Sequence, residues 1–136
     1  MTNIELKTSI ITYEGIEKEV YKLIKEYNLG EKIIVSSFNH NSLVRFKELD
    51  SNIKCGVLES SRLYKPREYV KNLGMEYYHP LNFTINKELA EKFAENNIGI
   101  NIWFGKSDYD YSEYLPCNPT GLITDYPDRV KKLLSK

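Results

Sequence analysis

Short apolar runs alternate with amphipathic stretches of helical period from one end of the chain to the other, and this alternation restricts the fold more than any single motif. Residues 3–7, 33–35, 56–58, 76–79, 98–103 and 122–123 read as strands. Residues 14–29, 42–49, 66–73, 86–96 and 126–134 read as helices, and 107–114 as a Tyr- and Asp-rich helix or loop. Ile33-Ile34-Val35 is a continuous apolar run, the pattern of a strand covered on both faces. The first helix carries Ile16, Val20, Leu23, Ile24 and Tyr27 on one stripe, with Gly30 where a C-terminal cap belongs. Asn86 stands where it caps the fourth helix, whose Leu89, Phe93 and Ala90 or Ala94 face inward; Asp125 reads as the cap of the last helix, with Pro127 in its first turn.

The strand-then-helix unit recurs about six times at a spacing of roughly 20 to 30 residues, the size of a βα repeat. Each crossover helix must return the chain to the same end of the sheet, so the class is α/β with parallel strands. An open sheet and a barrel both satisfy the pattern. In a barrel the strand C-termini converge on one rim, and here those ends carry Glu5, Lys7, Ser36, Ser37, Glu59, Ser60, His79, Trp103, Thr124 and Asp125. No Gly-x-Gly-x-x-Gly or phosphate-loop signature follows the first strand, which weighs against a dinucleotide-binding sheet.

At 136 residues the chain is expected to form a single domain with a real core. Its 19 basic and 19 acidic residues balance, so no global field favours nucleic acid or an anionic membrane, and an anionic ligand must be held locally. No run approaches the roughly 18 apolar residues of a membrane span, and Met1-Thr2-Asn3-Ile4-Glu5 lacks a secretion-signal pattern, which makes a cytoplasmic location the expectation. Cys55 and Cys117 have no metal-type spacing and read as small buried apolar residues rather than a disulfide. The cluster around Asp108, Asp110 and Glu113 has calcium-loop composition without the central Gly and terminal Glu spacing, so it reads as a solvated helix face.

Asn-Ile-Glu-Leu-Lys at 3–7, Ile-Val-Ser-Ser-Phe-Asn at 34–39, Ile-Asn-Ile-Trp at 100–103 and Gly-Leu-Ile-Thr-Asp-Tyr-Pro-Asp at 121–128 occur in an order and at distances similar to those of glycerophosphodiester phosphodiesterases. The whole chain resembles the C-terminal part of that family. The resemblance implies an incomplete TIM-type barrel whose six βα units correspond to strands three to eight. It also implies an inherited reaction, the hydrolysis of glycerophosphodiesters to glycerol 3-phosphate and an alcohol with help from a divalent cation, Ca²⁺ or Mg²⁺. A sugar-phosphate isomerase on a similar barrel is disfavoured, because no glycine-rich phosphate loop precedes the last strand.

The family's acid and base histidines and most of its metal carboxylates lie in His-Arg-Gly, Glu-x-Asp and His-Asp motifs that precede the matched part, and His40 and His79 sit in no such motif. The resemblance makes Glu5 the metal ligand of the third strand. By itself, Glu5 beside Lys7 is also an ordinary solvated charge pair, and one carboxylate falls far short of the about six oxygen ligands such a cation takes. Lys7 resembles the lysine that approaches the phosphate. Phe38 and Trp103 are either core aromatics or, as the resemblance implies, walls of the glycerol pocket. His79 matches a segment without catalytic histidines and is expected at the surface or lining the substrate pocket. The chain alone is expected to be inactive, with a non-catalytic phosphate-binding or assembly remnant as the alternative. Six parallel strands leave two bare edges, which calls for a homodimer or a complementing N-terminal polypeptide.

Overall fold

The computed structural model describes residues 1–105 and 110–135. The chain runs β1 (Thr2–Glu5), α1 (Ile16–Glu26), β2 (Ile33–Ser37), α2 (His40–Leu49), β3 (Lys54–Glu59), α3 (Pro66–Asn72), β4 (Tyr77–Pro80), α4 (Lys87–Ala94), β5 (Gly99–Trp103), β6 (Gly121–Ile123) and α5 (Pro127–Leu134). Short 3₁₀ turns lie at Gly30–Lys32, Asn82–Thr84 and Tyr111–Cys117. The strands form one parallel sheet in chain order, from β1 at one edge to β6 at the other. Six βα units in sequence, curled toward one another, are the half-barrel expected from the alternation.

The period of two along each strand separates two environments. Ile33, Val35, Cys55, Val57, Tyr78, Ile100 and Ile102 belong to the apolar cluster beneath the helices, with Leu43, Phe46, Val70 and Phe93. Tyr78 stacks flat on Phe93 at 4.7 Å between ring centres. Asn86 caps α4 by accepting from the Leu89 amide at 2.9 Å, as its position predicts. Both cysteines are buried and free, and burial pushes the Cys55 thiol up to about 12.

The intervening strand residues face the concave side. There His79 is fully buried, and its Nε2 accepts from Asn101 Nδ2 at 2.9 Å. Each of these side chains leans over a glycine of an adjacent strand. A Cβ on Gly56 would stand 2.4 Å from His79 Nε2, and one on Gly121 2.8 Å from Asn101 Oδ1. Gly56, His79, Asn101 and Gly121 therefore interlock across β3 to β6. Burial holds the His79 imidazole down at about 4, so it is neutral at pH 7, and with Nε2 accepting, its hydrogen sits on Nδ1, which has no partner.

Several local expectations are corrected. Helix α1 ends before Gly30 because Asn28 takes the left-handed conformation at φ 52°, and the Leu29 amide closes onto Ile24. Leu23 and Tyr27 are exposed rather than inward: α1 packs on α2 and the sheet by one side only. Asp125 does not cap α5; Thr124 Oγ1 accepts from the Tyr126 amide at 3.0 Å and organises that turn. Asp108 and Tyr109 of the acidic cluster lie outside the described residues. The part that is described, Tyr111–Cys117, is a 3₁₀ turn with Tyr111 buried rather than a solvated helix face.

The interlock makes two predictions. Gly56→Ala should lower unfolding free energy by about 1–3 kcal/mol, whereas Gly30→Ala, whose new methyl meets nothing within 4 Å, should change it by less than about 0.5 kcal/mol. Equal urea-unfolding midpoints for the two variants would contradict the register of β3 on β4. For His79, the unfolded imidazole takes up a proton near pH 6.5 and the folded one only near pH 4. The unfolded state binds more protons in that window, so stability is fully present above about pH 6.5 and is lost as pH falls, by on the order of 3 kcal/mol for the whole shift. Urea titrations at pH 7 and pH 5 should show the loss, and His79→Gln should remove part of it. A profile that His79→Gln leaves unchanged would contradict the buried neutral imidazole.

Candidate functional site

At the C-terminal ends of the strands lies a pocket of about 290 Å³, lined by Asn3, Glu5 and Lys7 from β1 and its exit, Phe38 after β2, Leu58 of β3, Trp103 and Phe104 at the end of β5, Ile123 of β6, and Thr124 and Asp125 just after it. Both edges of the sheet contribute, so the pocket exists because the sheet is curled. A larger cavity of about 730 Å³ opens at the opposite end, where Lys54, Tyr77 and Gly99 begin their strands. Size favours that cavity, but the rim pocket holds the convergent charges and aromatics, and chemistry decides for the rim.

Each lining residue is held by its strand end. The Leu6 amide donates to the Ser36 carbonyl at 2.7 Å, and Ser37 Oγ donates to the Leu6 carbonyl at 2.6 Å, which carries β1 pairing past Glu5 and aims Lys7 at the rim. Lys7 Nζ donates to Glu5 Oε1 at 3.0 Å; its side chain is 79% exposed and that of Glu5 30%. A pair this exposed adds little stability, so Lys7 can exchange Glu5 for an incoming anion at small cost. The Trp103 indole donates to the carbonyls of His79 and Glu59 at 3.1 and 3.2 Å. Phe38 meets the same indole edge-on, with ring centres 5.6 Å apart at 88°. Two fixed rings at right angles form an apolar wall opposite the charges.

Four of the five residues singled out in the sequence, Glu5, Lys7, Phe38 and Trp103, thus come together, whereas His79 does not. It is neither at the surface nor lining the pocket: its side chain is sunk beneath the rim over Gly56, and only its carbonyl reaches upward, to Trp103. His40 is also engaged elsewhere, with Nε2 donating to the Leu58 carbonyl at 2.9 Å and Nδ1 accepting from the Tyr69 hydroxyl at 2.8 Å. Neither histidine lines the rim pocket. Glu59, another polar strand end, spends one carboxylate oxygen on Ser60 and Ser61 of its own turn.

Sequence reasoning passed over Asn3 and, although it put Asp125 at a strand end on the rim, gave that residue a capping role. Asn3 lies two residues before Glu5 and so shares its face, a signal that was present in the period of two. Asp125 reads as the cap of α5, but that helix has no side-chain cap; the Thr124 hydroxyl accepts from the Tyr126 amide in the turn before it. Glu5 and Asp125 are the two carboxylates of the pocket, and among the described residues no group of three His, Cys, Asp or Glu could hold a metal ion. Two carboxylates, one already paired with Lys7, do not fit a divalent cation that takes about six oxygens.

Residues 2–129 match the sequence model of the glycerophosphoryl diester phosphodiesterase family. The glycerophosphodiester phosphodiesterase of Caldanaerobacter subterraneus subsp. tengcongensis is 35% identical over 136 residues, 100% of this chain and 56% of the relative. The crystal structure of a candidate glycerophosphodiester phosphodiesterase from Galdieria sulphuraria superposes with a TM-score of 0.89 at 19% identity, covering 98% of this chain and 57% of that one. An Oleispira antarctica phosphodiesterase, solved with the product sn-glycerol-3-phosphate, superposes with a TM-score of 0.73 at 20% identity, covering 90% of this chain and 52% of that one. The chain spans about half the length of the curated relatives it matches. No helix among the described residues is long and apolar enough to cross a membrane. Because the match runs through every strand of the sheet rather than through one motif, the chain belongs to the glycerophosphoryl diester phosphodiesterase family, over the C-terminal part of its barrel.

Proposed function

We propose that this chain carries the glycerol-phosphate-binding part of a glycerophosphodiester phosphodiesterase site and does not hydrolyse the diester by itself. The observation that carries the reading is the meeting of Lys7, Glu5, Phe38 and Trp103 in one rim pocket. The Lys7 ammonium neutralises a phosphate as a mobile point charge, and the perpendicular Phe38 and Trp103 rings offer an apolar wall to the glycerol carbons. Sn-glycerol-3-phosphate, the ligand of the Oleispira structure, has this division into an anionic end and a short carbon chain.

Cleavage of a phosphodiester needs one group to take a proton from the attacking hydroxyl and another to give one to the leaving alkoxide. His40 is occupied at both nitrogens, and His79 is buried and neutral beneath the pocket, so neither supports that work here. Glu5 and Asp125, the two carboxylates of the pocket, are too few for a Ca²⁺ or Mg²⁺ site of their own. Binding and orientation remain for the residues of the half-barrel, and His79 enters as a support under Trp103 rather than as a substrate contact.

Glycerol 3-phosphate should quench or shift the emission of Trp103, the sole tryptophan, with a Kd of about millimolar, near 4 kcal/mol. Lys7→Ala should weaken binding about tenfold, roughly 1.4 kcal/mol. Unchanged emission at saturating ligand, or equal affinity in the variant, would contradict the assignment of Lys7. Glycerophosphocholine should remain intact with the purified chain at neutral pH, with or without Ca²⁺ or Mg²⁺. Cation-dependent turnover lost in Glu5→Ala would show that the chain holds a complete site.

A further inference from the structure

The large exposed apolar and aromatic side chains gather at one face of the molecule. Of the twelve among the described residues, seven stand in the loops that follow strands, on the face where the rim pocket opens. Among the described residues, the loops that lead from helix to strand at the opposite face carry only Tyr27, at the end of α1. Ile10 and Ile11 stand side by side in the loop after β1 at 96% and 57% exposure, Tyr64 is 87% exposed after β3, and Phe83 is 56% exposed after β4. Tyr126 follows β6. Single exposed apolar side chains are ordinary, but their concentration on one face marks a surface that meets something other than water.

Charge supplies a second, independent sign. Three of these rings have a cation at their side: Lys65 Nζ lies 5.3 Å from the centre of the Tyr64 ring, and the Arg129 guanidinium 4.5 Å from that of Tyr126. Arg62 Nη2 donates to the Phe83 carbonyl at 2.9 Å. Of the carboxylates in the same loops, Glu59 is turned onto Ser60 and Ser61 and Asp125 lies in the pocket, which leaves Glu14. An aromatic ring beside a cation suits the boundary of a lipid layer, where the ring lies among the headgroups and the cation meets phosphate.

We propose that this face docks on a phospholipid surface, with Ile10 and Ile11 entering the acyl boundary and Tyr64, Phe83 and Tyr126 lying at headgroup level. Arg62, Lys65 and Arg129 then meet lipid phosphates, positive charge against negative. The arrangement selects lipid over a folded partner. The apolar side chains stand on four separate loops, after β1, β3, β4 and β6; a fluid surface accepts such points one by one, whereas a protein interface is built around a continuous packed patch. Tyr64 and Phe83 belong to the middle of the sheet, so the feature is not a property of its two edges. Because the 19 basic and 19 acidic residues balance, attachment rests on insertion of apolar groups rather than on long-range attraction, and salt should change it little. The rim pocket faces the docked surface. This proposal goes beyond the glycerol phosphate reading and stands on the loops rather than on what fills the pocket.

The probe is a vesicle of phosphatidylcholine, sedimented with the purified chain at increasing lipid. The chain should bind, and raising salt from about 0.1 to about 0.5 M should alter the bound fraction by less than about twofold. Ile10→Ser with Ile11→Ser should weaken partitioning about tenfold, and Tyr64→Ser with Phe83→Ser by a similar factor, while both pairs keep the urea-unfolding midpoint of the parent chain. Leu23→Ser with Tyr27→Ser, exposed on α1 away from the rim, should leave partitioning unchanged. Four outcomes overturn the proposal: no sedimentation at saturating lipid, binding indifferent to both loop pairs, binding lost with Leu23 and Tyr27 instead, or a dimer near twice 15.9 kDa that Ile10→Ser with Ile11→Ser dissociates, which would make a second copy the occupant. Vesicle binding is read without glycerol 3-phosphate and the emission titration without lipid, so failure of either reading leaves the other standing.

Discussion

The imidazole of His79, wedged over Gly56 and bonded to Asn101, is the contact on which the shape of the molecule depends. Side chains on the concave face of a curled sheet crowd as curvature increases, and Gly56 and Gly121 relieve the crowding where His79 and Asn101 lean. A methyl at either glycine would collide with a ring or an amide, so residue size and curvature are set together. The low proton affinity of the buried ring follows from the same closure, because the charged form would lose its water without gaining a counter-ion.

The site above inherits that geometry. Trp103 is held by the carbonyls of β3 and β4, the strands that His79 and Gly56 lock together. Phe38 is then fixed by Trp103, and Glu5 and Lys7 are brought opposite by the curl that turns β1 toward β6. The aromatic wall is hydrogen-bonded to the strand ends and the charged tip of Lys7 is exposed, which suits a pocket that orients carbons by shape and takes an anion by exchange of an ion pair. The same curvature leaves the two edges facing each other, with apolar side chains of α1 and α5 exposed beside them.

Much of this was legible in the chain. A period of two against a period of 3.6 located the strands and helices to within a few residues, and polar residues at strand ends pointed to one rim, because position along a strand is a one-dimensional property. Depth was less visible. His79 and Trp103 both end strands, yet one is buried and the other lines the pocket; the difference rests on Gly56 in the adjacent strand, a pairing that only the register reveals. Leu23 and Tyr27 failed for a similar reason: an amphipathic stripe tells which side of a helix seeks cover but not whether a neighbour is there to give it. Asp125 and Asn28 show local competition: the turn before α5 closes on the Thr124 hydroxyl with no side chain capping the helix, and a left-handed asparagine ends α1 ahead of Gly30.

Nitrogen-15 NMR of the His79 imidazole in the chain alone tests most directly whether the interior is closed as described. The account predicts a neutral ring protonated at Nδ1, with two well-separated nitrogen resonances that stay unchanged from pH 8 to about 5, together with a proton contact between the Phe38 ring and the Trp103 indole. An imidazole that titrates near the ordinary value of about 6.5, with no contact between the two aromatic rings, would mean that water enters the half-barrel and that the rim pocket is not held in place from below.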